Sequence, residues 1–207
     1  MRMLAIETAM EACSVALFEG TELIGHSHEV LGRGHAERLV PMISELPEKG
    51  RAEELRVSLG PGSFTGTRIG IAVARALSIA WKAEVLGYPT LQLVALRNSD
   101  QAMEQRTRDG FLVCMHGGHG EWFVQKFNAH CDPVEIPRSM APEDAVAIFD
   151  EHKVLGTRAL EFVDKRGLGE AHHILPDARY AYLLKSDSLS KQVSPVYGRP
   201  PDARKPL

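Results

Sequence analysis

The chain has 207 residues, of which 44% are hydrophobic and 25% charged, and a formal net charge of −3 at pH 7. This length can bury a sizeable core, and the slightly acidic balance gives no overall attraction to nucleic acid or to an anionic membrane. Three cysteines without C-x-x-C spacing and an N-terminus without an apolar signal sequence favour a cytoplasmic protein with free thiols.

The first part of the chain predicts a strand-rich opening followed by a helix. Apolar runs separated by turn residues predict three antiparallel strands at Met3–Ile6, Cys13–Phe18 and Leu23–Val30. Apolar residues at helical spacing then predict an amphipathic helix over His35–Leu46, which Pro41 in its second turn is expected to bend.

A glycine loop between a strand and a helix is the most distinctive stretch of the chain. The strand is predicted at Leu55–Leu59, the helix at Thr67–Trp81, and the sequence GPGSFTG lies between them. Glycines permit close approach of a phosphate, and free N–H groups at a helix start attract anions. The loop is therefore either a phosphate cradle or a tight packing corner, and it lacks the lysine of a P-loop. The candidate phosphate-binding residues are Gly60, Gly62, Ser63, Thr65 and Gly66.

The predicted helix after the loop carries two stripes of small residues. Each stripe repeats at every fourth position: Gly66, Gly70 and Ala74 form one, and Ala72, Ala76 and Ala80 form the other. Small side chains let another helix approach closely. That helix belongs either to the same subunit or to a partner, and the pattern alone favours neither.

The remainder of the chain predicts a second α/β unit and a tail. A polar stretch near residue 100 indicates a domain boundary, so we predict domains at 1–100 and 101–185 and an extended tail at 186–207. The predicted strands are Glu84–Tyr88, Phe111–Met115, Trp122–Phe127, Lys153–Leu155 and His172–Leu175. The predicted helices are Pro89–Arg97, Ala141–Asp150, Arg158–Arg166 and Asp177–Leu184.

Histidines and cysteines in the second unit raise the question of a metal site. Imidazole and thiolate groups are suitable ligands, and the candidates are Cys114, His116, His119, His130 and Cys131. Cys114 should point to the opposite face from its strand neighbours, and a glycine turn with exposed histidines explains the rest. We therefore predict no metal site.

Three segments of the chain resemble one known family. They are Gly60–Gly70, Ala5–Thr8 with Ala12–Leu17, and His35–Ile43. Together they are similar to the bacterial TsaB (YeaZ) family of tRNA threonylcarbamoyladenosine biosynthesis proteins, most strongly over residues 3–95. The resemblance implies an α/β ASKHA superfold, the architecture of actin, Hsp70 and sugar kinases, in two small lobes that each have a mixed sheet flanked by helices.

The resemblance also implies a subunit without catalysis of its own. Members of this family pair with a catalytic paralogue, TsaD, and with the ATPase TsaE to place a threonylcarbamoyl group on an adenosine beside the tRNA anticodon. The implied partners are TsaD and TsaE, a second copy of the chain in isolation, and tRNA only through the complex. No tightly bound cofactor is implied, but ATP or ADP is expected at the contact with the partner subunit.

Two positions argue against catalysis on their own chemistry. The paralogue binds its metal with two histidines spaced H-x-x-x-H, and the corresponding residues here are Thr90 and Val94. Neither can replace an imidazole ligand. Helices His35–Leu46 and Thr67–Trp81 are instead predicted to bind the paralogue, and the residues predicted at that contact are Leu39, Ile43, Gly70, Ala74 and Leu77.

Two alternatives remain open from the sequence. The first is a free-standing phosphotransferase of the same superfold, with phosphates at Gly60–Thr65 and magnesium held through Glu7. Against it, Glu7-Thr8-Ala9-Met10 stands where the family usually has Asp-Thr-Ser-Thr. The second is an RNA-binding module, which rests on the basic tail residues Arg199, Arg204 and Lys205 and is opposed by the acidic overall charge.

Overall fold

The computed structural model describes residues 1–98 and 110–198, so the predicted domain boundary near residue 100 and the basic tail residues Arg199, Arg204 and Lys205 lie outside the described residues. Two five-stranded mixed sheets with flanking helices form the described part of the chain. This arrangement confirms the predicted α/β class. Within the described residues, no helix is both long and apolar enough to cross a membrane.

The first sheet contains the predicted antiparallel meander and two further parallel strands. Its strands are β1 (Arg2–Glu7), β2 (Ala12–Glu19), β3 (Glu22–Val30), β4 (Glu54–Ser58) and β5 (Glu84–Tyr88). They lie in the order β3-β2-β1-β4-β5, with β1, β4 and β5 parallel to one another. Both faces of β1 are buried, because helices cover one face and a later segment of the chain covers the other.

Alternating side chains of this sheet enter two separate cores. Leu4 and Ile6 point toward helices α1 (His35–Glu45) and α2 (Phe64–Trp81). Met3 and Ala5 point toward the 3₁₀ segment Ala178–Leu183 on the opposite face. The predicted helix Asp177–Leu184 is thus a 3₁₀ segment, which begins after Asp177 because the carboxylate of Asp177 accepts the N–H of Arg179.

The second sheet forms from the later part of the described chain. Its strands are β6 (Phe111–Gly118), β7 (Glu121–Phe127), β8 (Arg138–Met140), β9 (Lys153–Leu155) and β10 (Glu170–His172), in the order β10-β9-β6-β7-β8. Helices α4 (Pro142–Ile148) and α5 (Ala159–Arg166) flank it. The sequence did not predict β8, which is only three residues long, and it placed β10 two residues too late.

A shared apolar core joins the two sheets. Met10 from the β1–β2 turn and residues of α3 (Thr90–Leu96) pack against Phe111, Met115 and Phe123 of the second sheet. The predicted domain limits remain a prediction. What the structure adds is that Ala178–Leu183, which follows the second sheet in sequence, packs on the first sheet.

Candidate functional site

The glycine loop leads into α2 three residues earlier than the sequence predicted. Ser63 is the N-cap residue, and its hydroxyl accepts the backbone N–H of Gly66 at 3.2 Å. A serine cap satisfies an N–H that would otherwise lack a partner in the first helical turn. Thr65 and Gly66, predicted to belong to the loop, therefore lie in the first turn of the helix.

Two glycines of the loop are required by close contact with the β1–β2 turn. A methyl group at Gly62 would overlap the carbonyl of Ala9, and one at Gly66 would overlap the carbonyl of Thr8. The same turn is tied to the loop by two hydrogen bonds, from Ser63 N–H to the Ala9 carbonyl at 2.6 Å and from the Thr8 hydroxyl to the Gly66 carbonyl at 2.8 Å. Packing thus accounts for these glycines, and phosphate binding by the loop stays a prediction.

Four of the five residues predicted at the partner contact are buried, and the contact itself stays a prediction. The four lie inside the first lobe, which consists of the first sheet with α1, α2 and α3: Leu39, Ile43, Gly70 and Ala74. Gly70 lies against Thr8 and Val57. A side chain without exposure offers a partner no surface. Leu77 is only partly buried, but it packs against the same core.

The outer face of α1 and α2 is formed by other residues. Val40, Phe64 and Ile79 are large apolar side chains that are 52%, 58% and 82% exposed. The second small-residue stripe of α2 lies beside them and is exposed: Ala72, Ala76 and Ala80. The two stripes therefore differ in role, because one packs on the sheet and the other faces solvent. Exposed apolar side chains grouped on one helix face are typical of an interaction surface.

Glu7 is fully buried at the carboxyl end of β1. One carboxylate oxygen accepts the N–H of Ala9 at 2.7 Å, and the other has no hydrogen-bond partner among the described residues. Burial raises the pKa of Glu7 to about 7, although the Ala9 N–H favours the ionised form. Tyr88 and Ser58 lie beside it at the ends of the neighbouring parallel strands.

Thr90 and Val94, the positions matched to the metal ligands of the paralogue, are both fully buried in α3. Val94 packs in the core between the sheets with Met10, Phe111 and Phe123. The side-chain oxygen of Thr90 has no hydrogen-bond partner among the described residues. Neither side chain can replace an imidazole ligand, and both are without solvent exposure.

His116, which precedes the β6–β7 turn, belongs to a polar cluster with the start of α5. Arg158 donates to Nδ1 of His116 at 3.1 Å and also pairs with Glu161 at 3.0 Å. His119 is exposed at the tip of the turn. Across residues 1–98 and 110–198, no group of three or more His, Cys, Asp or Glu side chains is placed to hold a metal ion.

A buried network around Asp177 was not anticipated from the sequence. Its carboxylate accepts hydrogen bonds from Arg179 at 2.8 Å and from His26 at 3.1 Å, and the hydroxyl of Ser14 lies 3.4 Å away. Asp177 thereby connects the 3₁₀ segment Ala178–Leu183 to β2 and β3 through hydrogen bonds. An aspartate just before a helical turn was the available signal, but its partners are distant in sequence.

Comparison with known proteins gives a consistent group of relatives. The family model described as "TsaD: tRNA N6-adenosine threonylcarbamoyltransferase" matches residues 25–156. The tRNA threonylcarbamoyladenosine biosynthesis protein TsaB of Haemophilus influenzae is 36% identical over 95% of this chain and 93% of that protein. TsaB of Escherichia coli is 41% identical over 100 residues, which are 46% of this chain and 43% of that protein.

Solved structures agree with these sequence matches. YeaZ from Pseudomonas aeruginosa superposes with a TM-score of 0.76 at 25% identity, over 95% of this chain and 99% of that one. The polyphosphate/ATP-glucomannokinase of an Arthrobacter strain has a TM-score of 0.52 at 11% identity, over 88% of this chain and 97% of that one. The second likeness concerns the fold alone. The chain therefore has the ASKHA fold that the family resemblance implied.

Proposed function

Because this chain belongs to the TsaB family, we propose that it acts in tRNA threonylcarbamoyladenosine biosynthesis as a non-catalytic subunit that binds and supports the catalytic paralogue TsaD. The observation that carries this proposal is the apolar core between the two sheets. Met10, Leu91, Val94 and Ala95 from the first lobe fill that space against the second sheet. In this arrangement the two lobes hold each other in place.

The burial of Glu7, the residue that would hold magnesium in the phosphotransferase alternative, also supports a non-catalytic role. Glu7 is without solvent exposure and lies beside Ser58 and Tyr88 at the ends of the neighbouring strands. A magnesium ion needs oxygen ligands in octahedral geometry and keeps several waters. A carboxyl group without solvent exposure is poorly placed to share an ion with those waters.

The exposed face of α1 and α2 is the surface that we propose for TsaD. It presents Val40, Ala76 and Ile79 to solvent, whereas the predicted contact residues Gly70 and Ala74 serve the internal packing. The proposal includes the ATPase TsaE as a further partner, contact with tRNA through the complex, ATP or ADP at the contact between subunits, and self-association through the same face when TsaD is missing.

Reconstitution of tRNA modification tests the role. TsaD, TsaE and the remaining pathway components should modify tRNA when this chain is added and should lose most of that activity without it. Equal modification with and without the chain would refute the proposed role. Turnover of Mg-ATP by the isolated chain would instead favour the phosphotransferase alternative.

A bulky substitution on α2 tests the surface. Ala76→Trp should abolish capture of TsaD, because the new ring stands on the exposed face and leaves the core unchanged. Ala147→Trp on the exposed side of α4 is the matched control and should bind normally. If a folded Ala76→Trp variant still bound TsaD with wild-type affinity, the assignment of the surface would be wrong.

A further inference from the structure

The last described residues form a strap, Ser190–Gly198, that crosses the edge of the first sheet and follows α2. Ser190 forms a β-bridge with Gly87 of β5, through hydrogen bonds of 2.8 and 2.9 Å. Farther along, the N–H of Val196 donates to the carbonyl of Leu59 at 2.7 Å. The strap ends against the second sheet, because Gly198 lies in contact with the ring of Phe123.

Two arginines of α2 hold this strap. Arg75 donates to the carbonyl of Val193 at 2.6 Å, and Arg68 donates to the hydroxyl of Tyr197 through Nε at 3.1 Å and a terminal nitrogen at 2.7 Å. The two arginines are seven residues apart, or about two helical turns, so they lie on one side of α2. The strap therefore runs alongside the exposed face of the helix.

Tyr197 completes an exposed cluster of one cation and two rings at the start of α2. The guanidinium of Arg68 lies 3.5 Å from the centre of the Phe64 ring, and the rings of Phe64 and Tyr197 stack with centres 5.7 Å apart. Phe64 is 58% exposed and Tyr197 is 45% exposed. Aromatic and arginine side chains held in a fixed geometry supply much of the binding energy in protein interfaces, since little entropy is lost when they bind.

We propose that the strap is the third element of the TsaD-binding surface, in which Tyr197 and Arg68 contact the partner directly. This inference rests on the proposed function. Continuity of the surface supports it, since Phe64, Arg68, Ala72, Ala76 and Ile79 follow one another along a single exposed face of α2.

The charges of this face indicate the chemistry of its partner. Helix α2 contains no acidic residue, and its two charged residues are Arg68 and Arg75. A partner with apolar side chains and a carboxylate opposite Arg68 fits such a surface. A second copy that packed α2 against α2 would bring no acidic residue of α2 opposite these arginines, so the carboxylate has to come from another element or from the paralogue.

Binding of TsaD to strap variants tests this inference. The dissociation constant should rise by about tenfold or more for Tyr197→Ala and for Arg68→Ala, and the double variant should lose less than the product of the two effects because the residues act as a unit. Tyr182→Ala is the matched control, since Tyr182 is also 45% exposed but lies on the opposite face of the sheet. It should bind as the wild type does.

Tyr197→Phe separates a contact from a structural role. The ring and its stacking stay, but the hydrogen bonds with Arg68 are lost, so a smaller weakening than with alanine is expected at an unchanged melting temperature. Wild-type affinity in Tyr197→Ala, while Ala76→Trp abolishes binding, would overturn the inference and leave the proposed function standing. Absence of TsaD binding by the wild-type chain would overturn both. Loss of tRNA binding with unchanged TsaD binding would show an RNA contact instead.

Discussion

Glu7 and Asp177 are two buried carboxylates on the same face of the first sheet, and their surroundings shift their pKa values in opposite directions. Burial alone would raise the pKa of Asp177, but hydrogen bonds from His26 and Arg179 hold it well below its usual range. Burial raises the pKa of Glu7 to about 7, since it receives fewer hydrogen bonds. Asp177 therefore stabilises the fold above about pH 4, whereas ionisation of Glu7 costs stability as the pH rises toward 7.

Replacement of Glu7 by glutamine should remove this cost. An amide oxygen can still accept the Ala9 N–H, and no charge has to be buried. We expect Glu7→Gln to be more stable than the wild type by about 1–3 kcal/mol at pH 8, with the difference vanishing near pH 4. Urea denaturation at both pH values measures it, with the exposed Glu22→Gln as control. A wild-type stability that does not fall between pH 4 and 8 relative to Glu7→Gln would contradict the raised pKa.

The role of a side chain could be predicted from the sequence only where that role does not depend on contacts with distant parts of the chain. Thr90 and Val94 cannot act as histidine ligands whatever surrounds them. The full burial of Glu7 could not be predicted in this way, because it depends on neighbours such as Ser58 and Tyr88 that lie on other strands. The partners of Asp177 in β2 and β3 are hidden from local patterns for the same reason.

At the scale of elements, α2 shows how one sequence pattern can have two meanings. Both small-residue stripes suggested close helix packing, yet Gly66 and Gly70 approach the β1–β2 turn while Ala72 and Ala76 face solvent. Helical periodicity correctly indicates that the stripes lie on different sides. It does not say which side meets the sheet, so it could not show that Gly70 and Ala74, which were predicted at the partner contact, are buried inside the fold.

A pair of substitutions in α2 distinguishes the two stripes. Helix propensity alone predicts that Gly66→Ala stabilises the helix by about 1 kcal/mol and that Ala72→Gly destabilises it by the same amount. We expect the first prediction to fail, because the added methyl group overlaps the Thr8 carbonyl, and Gly66→Ala should cost more than about 2 kcal/mol.

Chemical denaturation of both variants provides the measurement. Ala72→Gly should lose about 1 kcal/mol, as expected for an exposed helical position. If Gly66→Ala were as stable as the wild type, the glycine would not be needed for packing. The phosphate-cradle interpretation of the loop would then gain support.

Element types were easier to predict than element limits. The meander β1–β3, the strand β5 and the hairpin β6–β7 follow from apolar runs and the turn residues between them. The start of α2 was misplaced because the glycine-rich sequence suggested a loop, whereas the Ser63 cap allows the helix to begin before Gly66. Strand β8 has too few residues for any periodic signal.

At the scale of the whole molecule, the two lobes are connected by packing that their sequences do not reveal. A composition shift near residue 100 suggested separate units, but a common apolar core includes Met10 and α3 from one lobe and Phe111, Phe123 and Phe127 from the other. The strap adds a second connection at Gly198. Such long-range contacts leave no local pattern, because each side chain is simply another apolar residue of its own element.

The shared core predicts that both lobes unfold together, and the chain carries one reporter in each. Its two tryptophans are Trp81 at the end of α2 and Trp122 in β7. The single-tryptophan variants Trp81→Phe and Trp122→Phe should each show one unfolding transition, and fluorescence should coincide with circular dichroism in both.

Met10→Ala should lower the free energy of unfolding reported by each tryptophan by about 2–4 kcal/mol, since Met10 is 5% exposed between the lobes. Ile136→Ala, at a side chain that is 80% exposed, should leave both unchanged. A first-lobe transition that persists after the second has unfolded would show that the lobes are independent, and the rigid support on which the non-catalytic role depends would then be lost.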